Sequence, residues 1–285
     1  MTQTWFITGS SRGLGNAIAR AALEAGHNVA ATARRLEQLD SLVAKYPGRV
    51  LPLALDVSDA AQAEPALAAA KAHFGQIDVV VNNAGFANVA PIETGSQDDF
   101  RFQFETNFWG VYNVSSAAVP LFRSQGGGLI VQISSVGGRV GGSPGIASYQ
   151  AAKFAIDGFS RTLRVETAPF GIRVLVVEPS GFRTDWAGSS MTVHDVPEQY
   201  QATVGTMNST LRQGPDGSPG DPERAAEILV RVAQRQDIPD NLPLGVLASE
   251  MSITQDERLL ASDRRWAAVS RSADAGQPYP VELPA

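Results

Sequence analysis

Short apolar segments alternate with longer segments of helical periodicity along most of the chain. The apolar segments are nearly continuous, which is typical of strands buried on both faces of a parallel sheet. Because strands that alternate with helices pair in parallel through right-handed crossovers, the pattern predicts an α/β fold. We predict strands over residues 5–8, 28–32, 50–55, 77–81, 129–133, 172–177 and 242–247, and helices over residues 17–25, 60–74, 97–124, about 149–170, and 222–233.

The pattern changes after Thr184. Residues 185–221 mix glycine, serine, proline, methionine and tyrosine without a regular period, which predicts a lid with a short helix near residues 197–207. A variable surface loop is the alternative. Residues 251–285 form a C-terminal extension beyond a predicted domain of residues 1–250, and we expect the proline-rich end of this extension to be loosely held.

A glycine-rich turn joins the first predicted strand to the first helix. It reads Thr-Gly-Ser-Ser-Arg-Gly-Leu-Gly over residues 8–15, a spacing that differs from G-x-G-x-x-G. Glycines allow a tight turn and close approach of a pyrophosphate to the backbone, and the N-terminus of the following helix supplies N–H donors. The turn therefore predicts a phosphate-binding loop, with an ordinary strand-to-helix loop as the alternative.

Arginines follow the second predicted strand, at the position that distinguishes between dinucleotides. An acidic residue here suits a free ribose 2′-hydroxyl, whereas arginine suits a 2′-phosphate. The chain has Arg34 and Arg35 with no acidic residue before Glu37, and Arg12 in the glycine turn adds another positive charge. The sequence therefore favours NADP(H) over NAD(H), unless these arginines simply face solvent at the strand end.

Polar or small residues follow four further strands at their carboxyl ends, where ligands bind in α/β sheets. Asp56 follows the third strand and could accept a hydrogen bond from an adenine amino group. Asn82-Asn83-Ala84-Gly85 follows the fourth strand, Ser134 and Ser135 follow the fifth, and residues 178–184 follow the sixth.

Tyr149 and Lys153 stand four residues apart in a predicted helix, so both side chains lie on one face, one turn apart. The ammonium favours the phenolate and is expected to lower the pKa of Tyr149 from its ordinary value of about 10. A general acid works best when its pKa lies near the operating pH. The pair thus indicates an acid–base site, and the alternative is a partly buried ring beside a solvated amine.

Asn107 interrupts an apolar stripe of Phe100, Phe104, Phe108 and Val111, which we interpret as core or subunit interface. A buried asparagine needs hydrogen-bond partners. It either holds the structure together or holds a water molecule near a proton path.

Composition removes several classes of function. The chain of 285 residues has no cysteine, only three scattered histidines and a formal net charge of −6. Thiolate chemistry is excluded, a histidine-built metal site is not expected, and neither nucleic acid nor an anionic membrane is expected as the main partner. We see no signal peptide and no apolar run of the ~20 residues that span a bilayer, so we expect a cytoplasmic protein.

Taken together, these motifs resemble the classical short-chain dehydrogenase/reductase family over residues 3 to about 250. The resemblance rests on the glycine turn, on residues 82–85, on Asn107, on the serine pair, on Tyr149-x-x-x-Lys153, and on Pro179-x-Gly181 with Thr184. It implies a single-domain Rossmann fold, with a doubly wound seven-stranded parallel sheet and helices on both faces. It also implies a homodimer or homotetramer.

The resemblance further implies an NADP(H)-dependent oxidoreductase that interconverts a ketone or aldehyde and an alcohol. Tyr149 would exchange a proton with the substrate oxygen, and Lys153 would lower the pKa of that phenol and hold the nicotinamide ribose. Ser135, with Ser134 as the alternative, would hydrogen-bond the substrate oxygen. Asn107 would hold a water that links Lys153 to solvent. The expected cofactor-binding residues are Gly9, Ser11, Arg12, Gly13, Leu14, Gly15, Arg34, Asp56, Val57, Asn83, Ala84, Gly85, Tyr149, Lys153, Pro179, Gly181, Phe182 and Thr184, the last at the nicotinamide carboxamide.

The expected small-molecule substrate is bulky and apolar, since Phe86, Val89, Trp186 and Met191 could line a pocket, and the chain looks closest to steroid- and retinol-type members of the family. One alternative is a dinucleotide-binding redox sensor without turnover. Another is an epimerase or dehydratase of the extended subfamily, against which the glycine spacing and the chain length argue.

Overall fold

The computed structural model describes residues 1–184, 186, 191–212 and 219–284. Seven strands form one parallel sheet in the order β3-β2-β1-β4-β5-β6-β7. The strand order reverses between β1 and β4, which creates a crevice at the carboxyl ends of these strands. The doubly wound seven-stranded sheet is therefore confirmed. The strands are β1 (Thr4–Ile7), β2 (Asn28–Ala33), β3 (Val50–Ala54), β4 (Val79–Asn82), β5 (Gly128–Ile133), β6 (Ile172–Pro179) and β7 (Asn241–Leu244).

Helices cover both faces of the sheet. In β1, Trp5 and Ile7 pack into one apolar cluster with α1 and α8, while Phe6 packs into a second cluster with α3 and α5. All three side chains are fully buried, which explains why three consecutive positions of the strand are apolar rather than alternate ones. The α-helices in the described residues are α1 (Gly13–Glu24), α2 (Asp40–Lys45), α3 (Ala60–Phe74), α4 (Gln97–Phe104), α5 (Gly110–Gln125), α6 (Ala147–Thr167), α7 (Thr206–Leu211), α8 (Pro222–Ala233) and α9 (Val246–Arg271).

The C-terminal segment differs from the prediction. The last strand ends at Leu244 rather than at residue 247, because Gly245 has a φ of +101° and α9 begins at Val246. Residues 246–271 form one helix, which the sequence pattern did not predict and which crosses the expected boundary at residue 250. The pattern failed because only Ala248 and Ser252 of this helix are buried, so no apolar face repeats along it.

The long helix predicted over residues 97–124 is interrupted. A single π-helical turn, Glu105–Trp109, separates α4 from α5 and contains Asn107. Such turns are often found at functional sites. The short helix α2 was also missed.

Part of the predicted lid folds over the sheet edge. Residues 198–200 form a 3₁₀ turn and residues 201–205 a π-helical turn, and these lead into α7. The helix expected near residues 197–207 is thus present and continues to Leu211. Residues 185, 187–190 and 213–218 of the predicted lid lie outside the described residues.

Over the described ranges, no helix is both long and apolar enough to cross a membrane. Within the same ranges, no three potential metal-ligating side chains of His, Cys, Asp or Glu are grouped together.

A buried histidine joins the start of the sheet to α8. His27 is 4% exposed and its ring stacks on Trp5. Its Nδ1 accepts a hydrogen bond from the backbone N–H of Gln3 at 3.2 Å, and its Nε2 lies 3.2 Å from the side-chain amide of Gln234. Burial lowers the pKa of His27, and the nearby N-terminal ammonium adds to the effect while Asp78 opposes it.

We predict that His27 makes the protein less stable in acid. Because its folded-state pKa lies below the ordinary value, the unfolded chain binds the proton first as the pH falls. The free energy of unfolding should not depend on this group well above about pH 6.5, and should decrease as the pH falls through that value. Urea unfolding of the wild type and His27→Gln across this range measures the effect, with the exposed His73→Gln as control. Equal pH dependence in the wild type and His27→Gln would contradict the prediction.

Candidate active site

The glycine turn is fastened to the end of β4 by side chains. The hydroxyl of Thr8 accepts hydrogen bonds from the backbone N–H groups of Asn83 and Ala84 at 2.8 and 3.0 Å. The Asn83 amide donates to the carbonyls of Thr8 and Gly9 at 3.0 and 3.1 Å. A Cβ at Gly15 would lie 2.3 Å from Asn83 Nδ2, so this position requires glycine. The predicted cofactor residue Asn83 therefore uses its amide to shape the turn.

The N-terminus of α1 fits an anion. Arg12 stands at the N-cap position without a capping side-chain hydrogen bond from any described residue, and the first turn has no acidic side chain. By contrast, Asp59, Ser96 and Asp221 cap α3, α4 and α8. The free N–H groups and the positive end of the helix dipole at α1 favour a phosphate.

Two arginines lie at the same edge of the sheet. The Ser10 backbone N–H donates to the carbonyl of Thr32, and its hydroxyl accepts from the Thr32 N–H, which ties the glycine turn to β2. Arg12 and Arg34, on these two segments, are exposed. Neither forms an ion pair with a described residue, whereas Arg35 pairs with Glu37 at 3.6 Å. Arg12 and Arg34 are thus available to an anionic ligand.

At the end of β3, Asp56 has one oxygen engaged within its own turn. Its Oδ1 accepts from the backbone N–H of Ser58 at 3.0 Å and from the Ser58 hydroxyl at 2.6 Å. The neighbouring Val57 is buried.

The segment after β6 covers the glycine turn. A Cβ at Gly13 would lie 3.6 Å from Cβ of Thr184, so these two predicted cofactor residues face each other. Pro179 ends β6, and the carbonyl of Gly181 accepts from the Gly220 N–H at 3.1 Å. The predicted residues from Pro179 to Thr184 therefore stand at the same sheet edge as the turn.

Tyr149 and Lys153 lie together in α6 and are buried, with exposed fractions of 9% and 3%. The ammonium of Lys153 lies 5.5 Å from the centre of the Tyr149 ring and donates to the carbonyl of Ile133 at 2.7 Å. The helix is thus held to the carboxyl end of β5 by a buried charge.

Burial moves the two pKa values in opposite directions. It raises the pKa of Tyr149 to about 12, although a hydrogen bond with the Ser135 side chain acts to lower it. Burial lowers the pKa of Lys153 to about 8. The expected lowering of the Tyr149 pKa is therefore wrong in this structure, because desolvation of the phenolate outweighs the lowering by the Ser135 hydrogen bond. At neutral pH the phenol keeps its proton.

Of the two serines, Ser135 is the one beside the phenol. Its hydroxyl oxygen accepts from the Gly137 N–H at 3.0 Å, which leaves its own proton to donate. The hydroxyl of Ser134 instead donates to the carbonyl of Lys153 at 3.2 Å and is buried against the helix.

An apolar cluster surrounds Tyr149. Trp186 meets the phenol ring nearly edge-on, with ring centres 5.2 Å apart. Val89 and Met191 also belong to the cluster, as predicted, whereas Phe86 packs against Phe102 instead. The predicted lid segment contacts this cluster, since the N–H of Val89 donates to the carbonyl of Thr192 at 2.9 Å. Sequence reasoning missed further members of the cluster, which carry no signal beyond being small or branched: Ala87, Ile146, Val193 and Val204.

Comparison with known proteins gives a consistent result. The family model for short chain dehydrogenases matches residues 3–193. Oxidoreductase BOA17 of Botryotinia fuckeliana is 49% identical over 271 residues, which cover 95% of this chain and 98% of that protein. The chain belongs to the classical short-chain dehydrogenase/reductase family.

Two solved structures of dehydrogenases agree with this assignment. A short-chain dehydrogenase from Streptomyces avermitilis superposes with a TM-score of 0.88 at 37% identity, covering 96% of this chain and 99% of that one. An alcohol dehydrogenase from the archaeon Thermococcus sibiricus, complexed with 5-hydroxy-NADP, has a TM-score of 0.70 at 26% identity and covers 86% of this chain and 96% of that one. The predicted family, the Rossmann fold and the oxidoreductase class are confirmed.

In this member of the family, the Asn107 side chain forms two hydrogen bonds with the backbone of Phe86, a contact called here the Asn107 clasp. Its Oδ1 accepts from the Phe86 N–H at 3.0 Å and its Nδ2 donates to the Phe86 carbonyl at 2.8 Å. A Cβ at Gly85 would lie 2.5 Å from Asn107 Oδ1 and 3.7 Å from the Lys153 ammonium, so the clasp borders the lysine. The structural interpretation of Asn107 has direct support, and its predicted role in holding water stays a prediction.

We predict that Asn107→Ala destabilises the protein more than Asn113→Ala does. The first change leaves the backbone N–H and carbonyl of Phe86 without their partner in a partly buried contact, at up to about 1–3 kcal/mol for each group. The second change removes a single hydrogen bond, from a half-exposed amide to the carbonyl of Val57. Chemical denaturation of both variants measures the difference. Equal losses in the free energy of unfolding would show that the two Asn107 hydrogen bonds stabilise the protein no more than the single Asn113 hydrogen bond does.

Proposed function

We propose that the chain is an NADP(H)-dependent enzyme that interconverts a ketone or aldehyde and an alcohol, with Tyr149 as general acid and base. The observation that carries this proposal is a buried, protonated phenol next to the hydroxyl of Ser135. The phenol belongs to an apolar cluster and lies at the same edge of the sheet as the uncapped N-terminus of α1.

Each side chain has a separate role in the proposed carbonyl reduction. The bound nicotinamide supplies or accepts the hydride. Ser135 donates a hydrogen bond to the substrate oxygen, and Tyr149 gives its proton to the same oxygen as negative charge develops there. Lys153, with a pKa of about 8, is mainly cationic at neutral pH and stabilises the phenolate that remains. Oxidation of an alcohol reverses these steps.

The cofactor assignment follows from the charges around the glycine turn. The N–H groups at the start of α1 would hold the pyrophosphate, and Arg34 with Arg12 would hold a ribose 2′-phosphate. Ala33 ends β2, so no acidic side chain stands there to bind a free 2′-hydroxyl. Asp56 and Val57 would border the adenine, and Lys153 and Thr184 would border the nicotinamide end.

The lining of the site supports a bulky apolar substrate of steroid- or retinoid-like character. The cluster around the phenol includes Val89, Trp186 and Met191, which bring hydrocarbon, indole and thioether groups to this place. Apolar walls with a few polar groups are usual for small-molecule sites. The hydroxyls of Tyr149 and Ser135 are the polar groups that would orient the carbonyl.

An exposed aromatic surface supports assembly into a homodimer or homotetramer. It lies on α4, α5 and α6 and on the π-helical turn between the first two. Its members are each more than a third exposed, and aromatic clusters of this kind mark subunit interfaces. They are Phe100, Phe102, Trp109, Tyr112 and Phe154.

The complete set of Ser135, Tyr149 and Lys153 favours turnover over the alternative of a redox sensor. A sensor needs the cofactor cradle but has no use for a phenol, a hydroxyl and an ammonium converging beside it.

We predict that Tyr149→Phe lowers ketone or aldehyde reduction by at least about 10²-fold, the contribution of a general acid, while NADPH affinity is retained. A panel of bulky apolar ketones and aldehydes, followed by NADPH absorbance, measures the rate, and NADPH fluorescence measures binding. The exposed Tyr279→Phe is the matched control and should behave like the wild type. Full activity of Tyr149→Phe would remove this residue as the proton donor.

We predict that Arg34→Ala weakens NADPH binding much more than NADH binding, because only NADPH carries the 2′-phosphate. Titration calorimetry with both nucleotides gives the two affinities. Arg35→Ala is the control, since Arg35 already pairs with Glu37, and it should affect both nucleotides little. A similar loss for NADPH and NADH in Arg34→Ala would refute the cofactor preference.

A further inference from the structure

The orientation of Ser135 depends on one short turn. Residues Val136–Gly138 form a 3₁₀ turn that Ser135 caps, because its hydroxyl accepts from the Gly137 N–H at 3.0 Å. The Gly138 N–H donates to the carbonyl of Ser135 at 2.8 Å. Arg139 closes the turn by donating its N–H to the carbonyl of Val136 at 3.1 Å. A shift of this turn would therefore rotate the hydroxyl next to Tyr149.

The side chain of Arg139 fixes the turn to two distant elements. One guanidinium nitrogen lies 3.1 Å from Oε2 of Glu178 in β6, and the other pairs with Asp256 in α9. The Glu178 side chain is 1% exposed, so this pair is buried on the carboxylate side. Glu178 also accepts from the Asn241 amide of β7 at 2.6 Å, and that amide donates to Asp157 of α6 at 2.8 Å.

The opposite side of the turn is blocked by α6. A Cβ at Gly138 would lie 2.7 Å from Cβ of Lys153 and 2.7 Å from Oγ of Ser134, so the turn cannot move toward the helix. The Gln150 side chain accepts from the Ser143 N–H at 3.2 Å and holds the following loop. On the side away from the helix, the ion pairs of Arg139 connect the turn to Glu178 and Asp256.

We propose that Arg139 is a positioning residue, which sets the direction of the Ser135 hydroxyl by tying its turn to Glu178 and to Asp256. The inference rests on the proposed function, because it gives Ser135 a substrate to orient. Helix α9 contributes through Asp256, whose half-exposed side chain forms the outer and weaker of the two ion pairs. A buried pair can hold a turn in this way, whereas an exposed pair contributes little.

The choice of variant matters because Arg139→Met alone leaves the buried Glu178 without its counter-charge, which destabilises proteins strongly. The double variant Arg139→Met/Glu178→Gln removes both charges and keeps an acceptor for Asn241. The control is Arg161→Met, which removes another arginine ion pair, 2.8 Å from Asp157, at the far end of the same network. Asp256→Asn weakens the outer arm only and should give a smaller effect.

Hydrogen exchange tests the tie without reference to activity. The amides of Gly137 and Gly138, which donate to Ser135, should exchange at least about tenfold faster in the double variant than in the wild type, and Arg161→Met should match the wild type. Unchanged exchange in the double variant would overturn the proposal, whatever the enzyme does.

Kinetics then test the consequence for Ser135. The double variant should lose at least about tenfold in kcat/KM for the carbonyl substrate and keep the wild-type affinity for NADPH. In a Ser135→Ala background the same change should cost little more, because the hydroxyl it positions is already gone. A loss that simply adds to that of Ser135→Ala would overturn the positioning role. Absence of carbonyl reduction by the wild type would instead refute the proposed function. The hydrogen-exchange result would then decide by itself whether the Arg139 ion pairs hold the turn.

Discussion

Burial of the Lys153 ammonium is the constraint on which the site depends. A charged group is removed from water at the joint between α6 and β5, where it donates a hydrogen bond to the carbonyl of Ile133. The neighbouring Ser134 hydroxyl bonds the backbone of Lys153 in return. Because these contacts fix the helix on the strand end, Tyr149 one turn earlier is held beside Ser135. The cost of burial appears as the lowered pKa of the lysine.

At the same edge of the sheet, side chains hold the backbone of the glycine turn and leave the N–H groups at the start of α1 free. Thr8 and Asn83 bond the glycine turn to β4, and Ser10 bonds it to β2. The glycine turn is thus held in place while the start of α1 stays uncapped, which suits a phosphate. The reversal of strand order between β1 and β4 puts this cradle close to the end of β5, where the phenol and Ser135 stand.

Local sequence patterns predicted the features that local physics determines. Continuous apolar strands, the glycine turn and the Tyr149–Lys153 spacing each act within a few residues, and all three lie where the pattern places them. The direction of the Tyr149 pKa could not be predicted, because it depends on burial by Trp186 and the lid, far along the chain. The partners of Asn107 and of Arg139 were equally hidden, since Phe86, Glu178 and Asp256 are distant in sequence. Helix α9 has no repeating apolar face to reveal it.

The most direct test of the central claim is isotope transfer from the nicotinamide. The protein would be incubated with NADPH deuterated at both positions of nicotinamide C4 and with a bulky apolar ketone, and the alcohol analysed by mass spectrometry. The account predicts one deuterium on the carbinol carbon and a solvent proton on the oxygen, with the product strongly diminished in Tyr149→Phe. An alcohol without deuterium, or equal product from Tyr149→Phe, would contradict it.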